Sequence, residues 1–332
     1  MGNEIVRQTD RALATPLSRY AEGAAKDAQN SKASATLRAY ERAWGRFEAW
    51  CDRHDQQALP ASPVTVASYL RFLCPDTDEE GIKHKVATME MALVAISQRH
   101  KVSRLQSPRS DPLVSQTRQG IRRRLGTAPD KVAALMQRSV KRIVAACDMD
   151  DVVDVRDATI VVFGFVGAMR RSEIVGLDVA DCTIVERGVD VRIRRSKTDQ
   201  EGAGENVSLP RSSDESACPA QLLVRWLEVS GITSGPLFRR IRKPECKNRI
   251  GKKRLTAGSV AAIVKKHVRR AGLRPSDYSG HSLRAGLATS AAEAGRPLEA
   301  IKRQTRHKSS SVAEGYLRHG TRWDKNAADG LL

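Results

Sequence analysis

The chain has 332 residues, and its 57 Lys and Arg against 38 Asp and Glu leave a formal net charge of +19, which points to a polyanionic partner, nucleic acid being the obvious one. A single core rarely grows beyond about 250 to 300 residues, so this length predicts two domains. The longest apolar run, Ala158 to Met169, is too short for the roughly 20 residues of a membrane span, and no secretory h-region opens the chain, so a cytoplasmic location without membrane insertion is expected.

Residues 1–30 carry Ala, Gln, Asn and charge without a sustained apolar period and read as a mobile tail. From Ser34 the pattern changes: Leu37, Tyr40, Trp44, Phe47 and Trp50 recur every three or four residues, one face of an amphipathic helix. Pro63 opens a second helix, Val64 to Leu73. Ile82 to Ile96 predicts a third, its rim carrying Lys83, His84, Lys85, Arg99, His100 and Lys101. Asp111-Pro112 caps and starts a fourth that runs to Arg124, where Arg118, Arg122, Arg123 and Arg124 gather. Each of these basic residues alone reads as a solvated face, but together they favour contact with DNA phosphates. Residues 31–125 should therefore form a wholly helical domain with a basic rim. Gly126-Thr127-Ala128-Pro129-Asp130 marks a linker at 126–131.

The second domain, 132–332, opens with short helices around Val132 to Ala146 and continues as a core helix through the apolar run. At Met169-Arg170-Arg171-Ser172-Glu173 an Arg stands against apolar helix and needs an anionic partner. That partner is either Glu173 in an internal ion pair or a bound phosphate, with Glu173 steadying the Arg. Val189, Val191 and Ile193 alternate with polar residues, as do Val207 and Leu209, which gives a β-hairpin whose loop runs from Ser196 to Gly204 and holds Lys197. Pro219 to Val229 reads as a core helix around Trp226. Arg239, Arg240, Arg242 and Lys243, then Lys252, Lys253 and Arg254, add charge ahead of a helix from Ala257 to Arg270. The six cysteines (Cys51, Cys74, Cys147, Cys182, Cys218, Cys246) lack C-x-x-C spacing, which speaks against a disulfide framework and a zinc site.

The most informative stretch is Ser279-Gly280-His281-Ser282-Leu283-Arg284. His281 and Arg284 lie one helical turn apart on one face, and the Gly leaves the first helix amides open to an anion. Leu283, Leu287 and Ala288 form the buried side, so the polar pair should point into a cleft. Gly295-Arg296-Pro297 signals another helix start; Leu298 to Ile301 leads to His307, and Tyr316 follows nine positions later. A phenol with an ordinary pKa of about 10 is a poor nucleophile and needs positive charge beside it.

The order Arg, Lys, His-x-x-Arg, His, Tyr resembles the tyrosine recombinases of the phage-integrase family, and Ser279-Gly280-His281-Ser282-x-Arg284 most resembles its Cre-type branch. The resemblance implies a two-domain, mainly α fold: an N-terminal helical core-binding domain and an α+β catalytic domain with a small antiparallel hairpin, closing as a clamp on duplex DNA. It implies site-specific recombination through a 3′-phosphotyrosine and a Holliday junction, with no cofactor, metal or ATP. Gly167-x-x-Arg170-x-Ser172-Glu173 matches the family's first-arginine box and selects Arg170, with Arg171 as second candidate. Arg195-Ser196-Lys197-Thr198 falls where the family's catalytic lysine sits, so Lys197 would protonate the leaving 5′ oxygen. Arg284 would clamp the phosphate with Arg170, His281 would take the proton of the nucleophile Tyr316, His307 would donate to the phosphate, and Glu173 would support the set.

Further implications concern DNA and assembly. Arg240, Arg242 and Lys243 would contact the DNA backbone together with Lys252 and Lys253, while Lys83, Lys85, Arg118, Arg122 and Arg123 act from the first domain. Gly258 and Ser259 would open the helix that enters the major groove, without a long basic reader, so a target unlike that of the Cre-type relatives is expected. Thr305-Arg306-His307 departs from the family, which has Gly before this His. The implied partners are double-stranded DNA with inverted repeats and three further copies in a homotetramer on two sites, with a monomer or weak oligomer when free. Ala327, Ala328, Leu331 and Leu332 would plug a neighbour or pack in cis. The setting would be a prokaryotic nucleoid, on a plasmid or phage. A type IB topoisomerase, a catalytically silent DNA-binding protein and a general nucleoid or RNA binder are the alternatives. The intact catalytic set argues against silence, and an aromatic content of 4% argues against single-strand base stacking.

Overall fold

The computed structural model describes residues 20, 34–76, 84–127, 132–194, 196, 204–242, 250–307 and 314–316. The chain divides into two compact units, 1–129 and 130–332. In the first, the described residues form four helices: α1 Ser34–Arg53, α2 Pro63–Leu73, α3 Val86–Val102 and α4 Pro112–Leu125, with a 3-10 turn before α4. Trp44, Phe47 and Trp50 of α1 pack on Tyr69 and Leu70 of α2, Met89, Leu93 and Ile96 of α3, and Val114 and Ile121 of α4. Phe47 and Trp50 each meet the Tyr69 ring, with centroids 5.0 and 5.3 Å apart. Side-chain caps fix two helix starts, as their sequences predict: Ser62 Oγ accepts from Thr65 N at 3.0 Å and Asp111 Oδ1 from Leu113 N at 2.8 Å.

Two expectations for this unit change. The third helix starts at Val86, with Lys85 at its cap, and Ile82 and Lys83 lie outside the described residues. His100 is fully buried rather than on the rim: its Nε2 accepts from Ala61 N at 2.9 Å and its Nδ1 donates to Ile96 O at 2.8 Å. The ring thus gives the buried Ala61 amide its partner and anchors itself on a carbonyl of its own helix. The tail at 1–30 lies outside the described residues apart from Tyr20.

The second unit is arranged around α6, Val152–Val166. Its two flanks belong to different cores. Val155, Ile160 and Phe163 face the sheet, Trp226 and Phe238, whereas Ala158, Val161, Val162 and Phe165 face Val140, Ile143, Val264, Val268 and Leu283. A helix wrapped on both sides is apolar all round, which is why this run shows no amphipathic period. Around it lie α5 Gln137–Ala145, α7 Arg171–Gly176, α8 Pro219–Ser230, α9 Ala257–Arg270, α10 Ser282–Glu293 and α11 Leu298–Thr305. The expected hairpin belongs to a three-stranded antiparallel sheet in the order β1 Cys182–Val185, β2 Gly188–Ile193, β3 Glu205–Pro210. A second antiparallel ribbon pairs β4 Arg239–Ile241 with β5 Ile250–Arg254, strands not expected from the sequence.

Polar contacts tie α6 to α9. Asp157 Oδ2 meets His267 Nε2 at 3.0 Å, and Asp154 binds Arg270 and Lys266. Asp154, Asp157 and His267 are close enough to share an ion, yet Arg156, Lys266 and Arg270 already engage their carboxylates. Among the described residues no helix is long and apolar enough to cross a membrane.

The stretch before α5 is extended at 132–136 instead of helical. Ala133 N donates to Asp277 O at 2.8 Å and Leu135 N to Ser282 O at 2.9 Å, so this strip is bonded to the start of α10. The strip requires Gly286: a Cβ there would come within 2.0 Å of the Leu135 carbonyl oxygen. Gly286→Ala should cost about 1–3 kcal/mol by overpacking, read as a lower urea midpoint with unchanged slope. Gly45→Ala, where a Cβ meets nothing within 4 Å, should hold or raise it.

Candidate active site

The C-terminus of α6 presents its last carbonyls, the negative end of the helix dipole, to side chains arriving from three later segments. After Val166 the chain turns through Ala168, whose φ is +44, and restarts as α7 with Arg170 at its cap. Glu173, three residues on, accepts from Arg170 N at 2.8 Å and from Arg170 Nη1 at 2.6 Å. A Glu at this position satisfies a free first-turn donor and matches the positive helix end. Its Oε2, which takes the Arg170 amide, also accepts from Arg306 Nη2 at 2.7 Å, while Oε1 takes Arg170 Nη1. The Glu173 side chain is wholly withdrawn from water. Burial alone would raise its pKa, but Arg306 and the Arg170 amide and guanidinium outweigh that and hold it below the usual carboxylate range.

The second segment is α10. Ser279 Oγ accepts from His281 N at 3.1 Å, and His281 occupies the helix cap position rather than its first turn. Arg284, one turn in, is 1% exposed and donates from Nη1 to Ala168 O at 2.8 Å; its Nη2 is buried with no hydrogen-bond partner. The expected pair therefore splits, with His281 meeting solvent and Arg284 inside. Gly280 is needed here because the Arg171 stem lies over it, and a Cβ would come within 2.3 Å of Arg171 Cδ. This gives Arg171 a packing role.

The third segment is α11 and the residues after it. Thr305 Oγ1 lies 2.8 Å from His307 Nδ1 and 2.7 Å from Ile301 O. The His307 and Tyr316 rings stack with centroids 6.0 Å apart, and Tyr316 Oη is 3.4 Å from His281 Nε2, a long contact. Arg306 ends α11 with φ +54, and its Nε faces Glu205 Oε2 at 3.8 Å, each atom buried without a hydrogen bond.

Arg170 and Arg306 thus share the Glu173 carboxylate, while Arg284 and Arg306 share the Ala168 carbonyl. Burial, then Arg170 and Arg306, pull the Arg284 pKa down to about 10, and burial with Arg284, Arg170, His281 and Arg306 pulls His307 down to about 4. Partial desolvation and then Arg284, Arg170 and Arg171 lower His281. Burial raises the Tyr316 pKa against the opposing pull of Arg284, so in the DNA-free protein positive neighbours do not activate the phenol. A cluster with excess positive charge and an unbonded guanidinium nitrogen suits an anion.

Of the sequence-predicted set, Arg170, Glu173, His281, Arg284, His307 and Tyr316 come together, and Lys197 lies outside the described residues. Arg306, noted in the sequence as a departure, joins the cluster through its side chain. No spacing signals that, because its partners are more than 130 residues away. Among the predicted DNA contacts, Arg240, Arg242, Lys252 and Lys253 are exposed on or beside the β4–β5 ribbon, and Gly258 and Ser259 open α9 behind the Thr256 cap. Arg254, next in the chain after Lys253, instead donates to the Val175 and Leu177 carbonyls at 2.6 and 2.8 Å and pairs with Asp178. In the first unit Lys85 and Arg123 are exposed, Arg118 and Arg122 both grip Glu90 at 2.8 Å, and Arg124 caps the Cys74 and Pro75 carbonyls. Lys83, Lys243 and the terminal apolar residues Ala327, Ala328, Leu331 and Leu332 lie outside the described residues.

The profile described as the phage integrase family matches residues 133–322. An integrase/recombinase xerD homolog of Selenomonas ruminantium is 35% identical over 302 residues, covering 90% of this chain and 86% of that protein. Recombinase cre of Escherichia phage P1 is 25% identical over 293 residues, covering 84% and 81%. A lambda integrase dimer bound to a COC′ core site shares the fold with a TM-score of 0.60 at 17% identity, over 93% of this chain and 78% of that one. The chain belongs to the phage integrase family, the tyrosine recombinases, whose activity is site-specific DNA recombination.

The lowered histidines make stability depend on pH. Between its ordinary 6.5 and about 4, the unfolded chain binds a proton at His307 that the folded protein refuses, so stability falls as pH drops through that window. His281 adds to this, and Glu173 adds a loss below its ordinary 4.5. Urea midpoints measured from neutral pH downward should fall, and His307→Asn should flatten the upper part of the slope. An unchanged slope in the variant would contradict a buried neutral imidazole.

Proposed function

We propose that Tyr316 cleaves one DNA strand by attacking a backbone phosphate. The Tyr316 Oη–P bond forms as the P–O5′ bond breaks, which leaves a 3′-phosphotyrosine and a free 5′-hydroxyl. The phosphodiester energy is retained, so a 5′-hydroxyl of a partner strand reverses the attack and joins the strands without ATP. Arg170 and Arg284 bind the non-bridging oxygens and stabilise the charge of the transition state. This is the charge-neutralising work a metal does elsewhere, so no metal is required. The observation that carries this reading is the buried, unbonded Arg284 Nη2 beside Arg170, next to the His281–Tyr316 contact.

His281 accepts the Tyr316 proton. Its lowered pKa keeps it neutral and able to do so near neutral pH, and a phosphate in the pocket offsets the positive charge of the product imidazolium. His307 donates Nε2–H to the phosphate when the Thr305 hydroxyl turns to its Nδ1. Lys197 protonates the leaving 5′ oxygen, and Glu173 keeps Arg170 aimed.

The DNA is a duplex with inverted repeats. Arg240, Arg242, Lys243, Lys252 and Lys253 hold its phosphates, with Lys83, Lys85 and Arg123 from residues 31–125; Arg118 and Arg122 contribute while still sharing Glu90. Four copies on two sites exchange strands in pairs, and the free protein is a monomer or weak oligomer, working on plasmid or phage DNA at the nucleoid.

Covalent trapping tests this on nicked duplexes carrying inverted repeats from the native genetic neighbourhood. The wild-type chain should give a protease-sensitive shifted band on a denaturing gel with EDTA present and ATP absent. Tyr316→Phe should bind without forming it, and Arg284→Ala should slow it roughly 10²- to 10³-fold. A 5′-thiol leaving group, which needs no acid, should rescue Lys197→Ala. Absence of an adduct on DNA that the protein demonstrably binds would overturn the mechanism.

A further inference from the structure

Arg306 stands where backbone chemistry favours glycine. It ends α11 at φ +54, in the left-handed region that L side chains enter at a cost. One local bond, Nη1 to Gln304 O at 3.2 Å, is joined by three distant ones: Nη1 to Gly167 O at 3.0 Å, Nη2 to Ala168 O at 3.3 Å, and Nη2 to Glu173 Oε2 at 2.7 Å. The residue is 8% exposed, so these are desolvated, charge-assisted contacts.

Two of the three groups that accept these distant bonds, Glu173 and Ala168 O, also serve a proposed phosphate ligand. The other Glu173 oxygen holds Arg170, and Ala168 O accepts from Arg284 Nη1 at 2.8 Å. The residue after Arg306 is His307. One planar fork thereby joins the end of α6, the start of α7 and the end of α11. Lysine, a single point donor, cannot span the same set, and glycine would relax the backbone while leaving the carboxylate and carbonyls without this partner.

We propose that Arg306 is a positioning residue for DNA cleavage: by bonding Glu173 and the Gly167 and Ala168 carbonyls it sets Arg170, Arg284 and His307 in one phosphate-binding arrangement. This rests on the phosphate roles proposed above for those three residues. Arg306 touches no DNA.

Single-turnover trapping on the nicked duplex compares wild type, Arg306→Gly, Arg306→Lys, Glu173→Gln and the double variant Arg306→Gly/Glu173→Gln, with binding measured separately in a Tyr316→Phe background. Arg306→Gly should slow adduct formation at saturating DNA about 10- to 100-fold, the cost of misplaced ligands, while DNA affinity holds within about twofold and Arg306→Lys recovers only part of the rate. In the Glu173→Gln background the same change should cost much less, because the two act as a unit. A wild-type rate in Arg306→Gly would reduce Arg306 to a helix end and overturn the proposal. An undiminished loss in the double variant would overturn it too, since Arg306 would then act independently of Glu173. Amide hydrogen exchange on the DNA-free chain supplies a second readout. Arg306→Gly should speed exchange at 169–176 as well as at 305–307, and a change confined to 305–307 would sink the proposal. If even wild type formed no adduct, the cleavage mechanism itself would fail, while the exchange result would still decide whether Arg306 joins the segments.

Discussion

The carboxylate of Glu173 is the constraint on which the second unit depends. It is sealed from water, yet its pKa is held down because Arg170 and Arg306 each take one oxygen. Desolvating ions costs several kcal/mol each, repaid only by close partners and further hydrogen bonds. Here those further bonds come from the end of α6, whose carbonyls accept from Arg284 Nη1 and from both Arg306 Nη atoms, while the Gln304 side chain caps Val166 O at 2.7 Å. The helix terminus and the acid together fix the arginines. Positive charge still exceeds negative in the pocket, and that imbalance makes it receptive to phosphate.

The same imbalance explains the titration pattern. Arg284, Arg306 and both histidines are shifted toward losing their protons, while the Tyr316 phenol is shifted toward keeping its own. On the proposed mechanism, a phosphate in this cluster would favour the protonated forms of the histidines, which couples substrate and proton acceptor through charge rather than through a moving part.

Much of this was legible in the sequence because the informative residues lie within short fixed spacings. The box from Gly167 to Glu173 and the His281–Arg284 pair each fall within seven residues, and local geometry follows from local spacing. What the sequence hid depends on distant partners. The 132–136 strip looks helical by composition, and only its bonds to Asp277 and Ser282, more than 140 residues on, make it extended. The β4–β5 ribbon has strands of Arg and Lys without apolar alternation, so no period of two betrays it. His100 sits among basic neighbours in sequence but turns inward to serve Ala61 and Ile96. For Arg306 the sequence shows only a missing glycine; the positive φ and the reach to Glu173 belong to the fold.

The Gly167 and Ala168 carbonyls and Glu173 are laid down early, whereas Arg284, Arg306 and Tyr316 come from the last fifth of the chain. During synthesis the N-terminal portions fold first. A nascent or truncated polypeptide therefore carries much of the basic surface, but neither the completed arginine cluster nor the phenol. On the mechanism proposed for Tyr316, strand-breaking capacity arises only once translation has passed that residue, and an abandoned ribosomal product of this gene would be a DNA binder and not a DNA cutter.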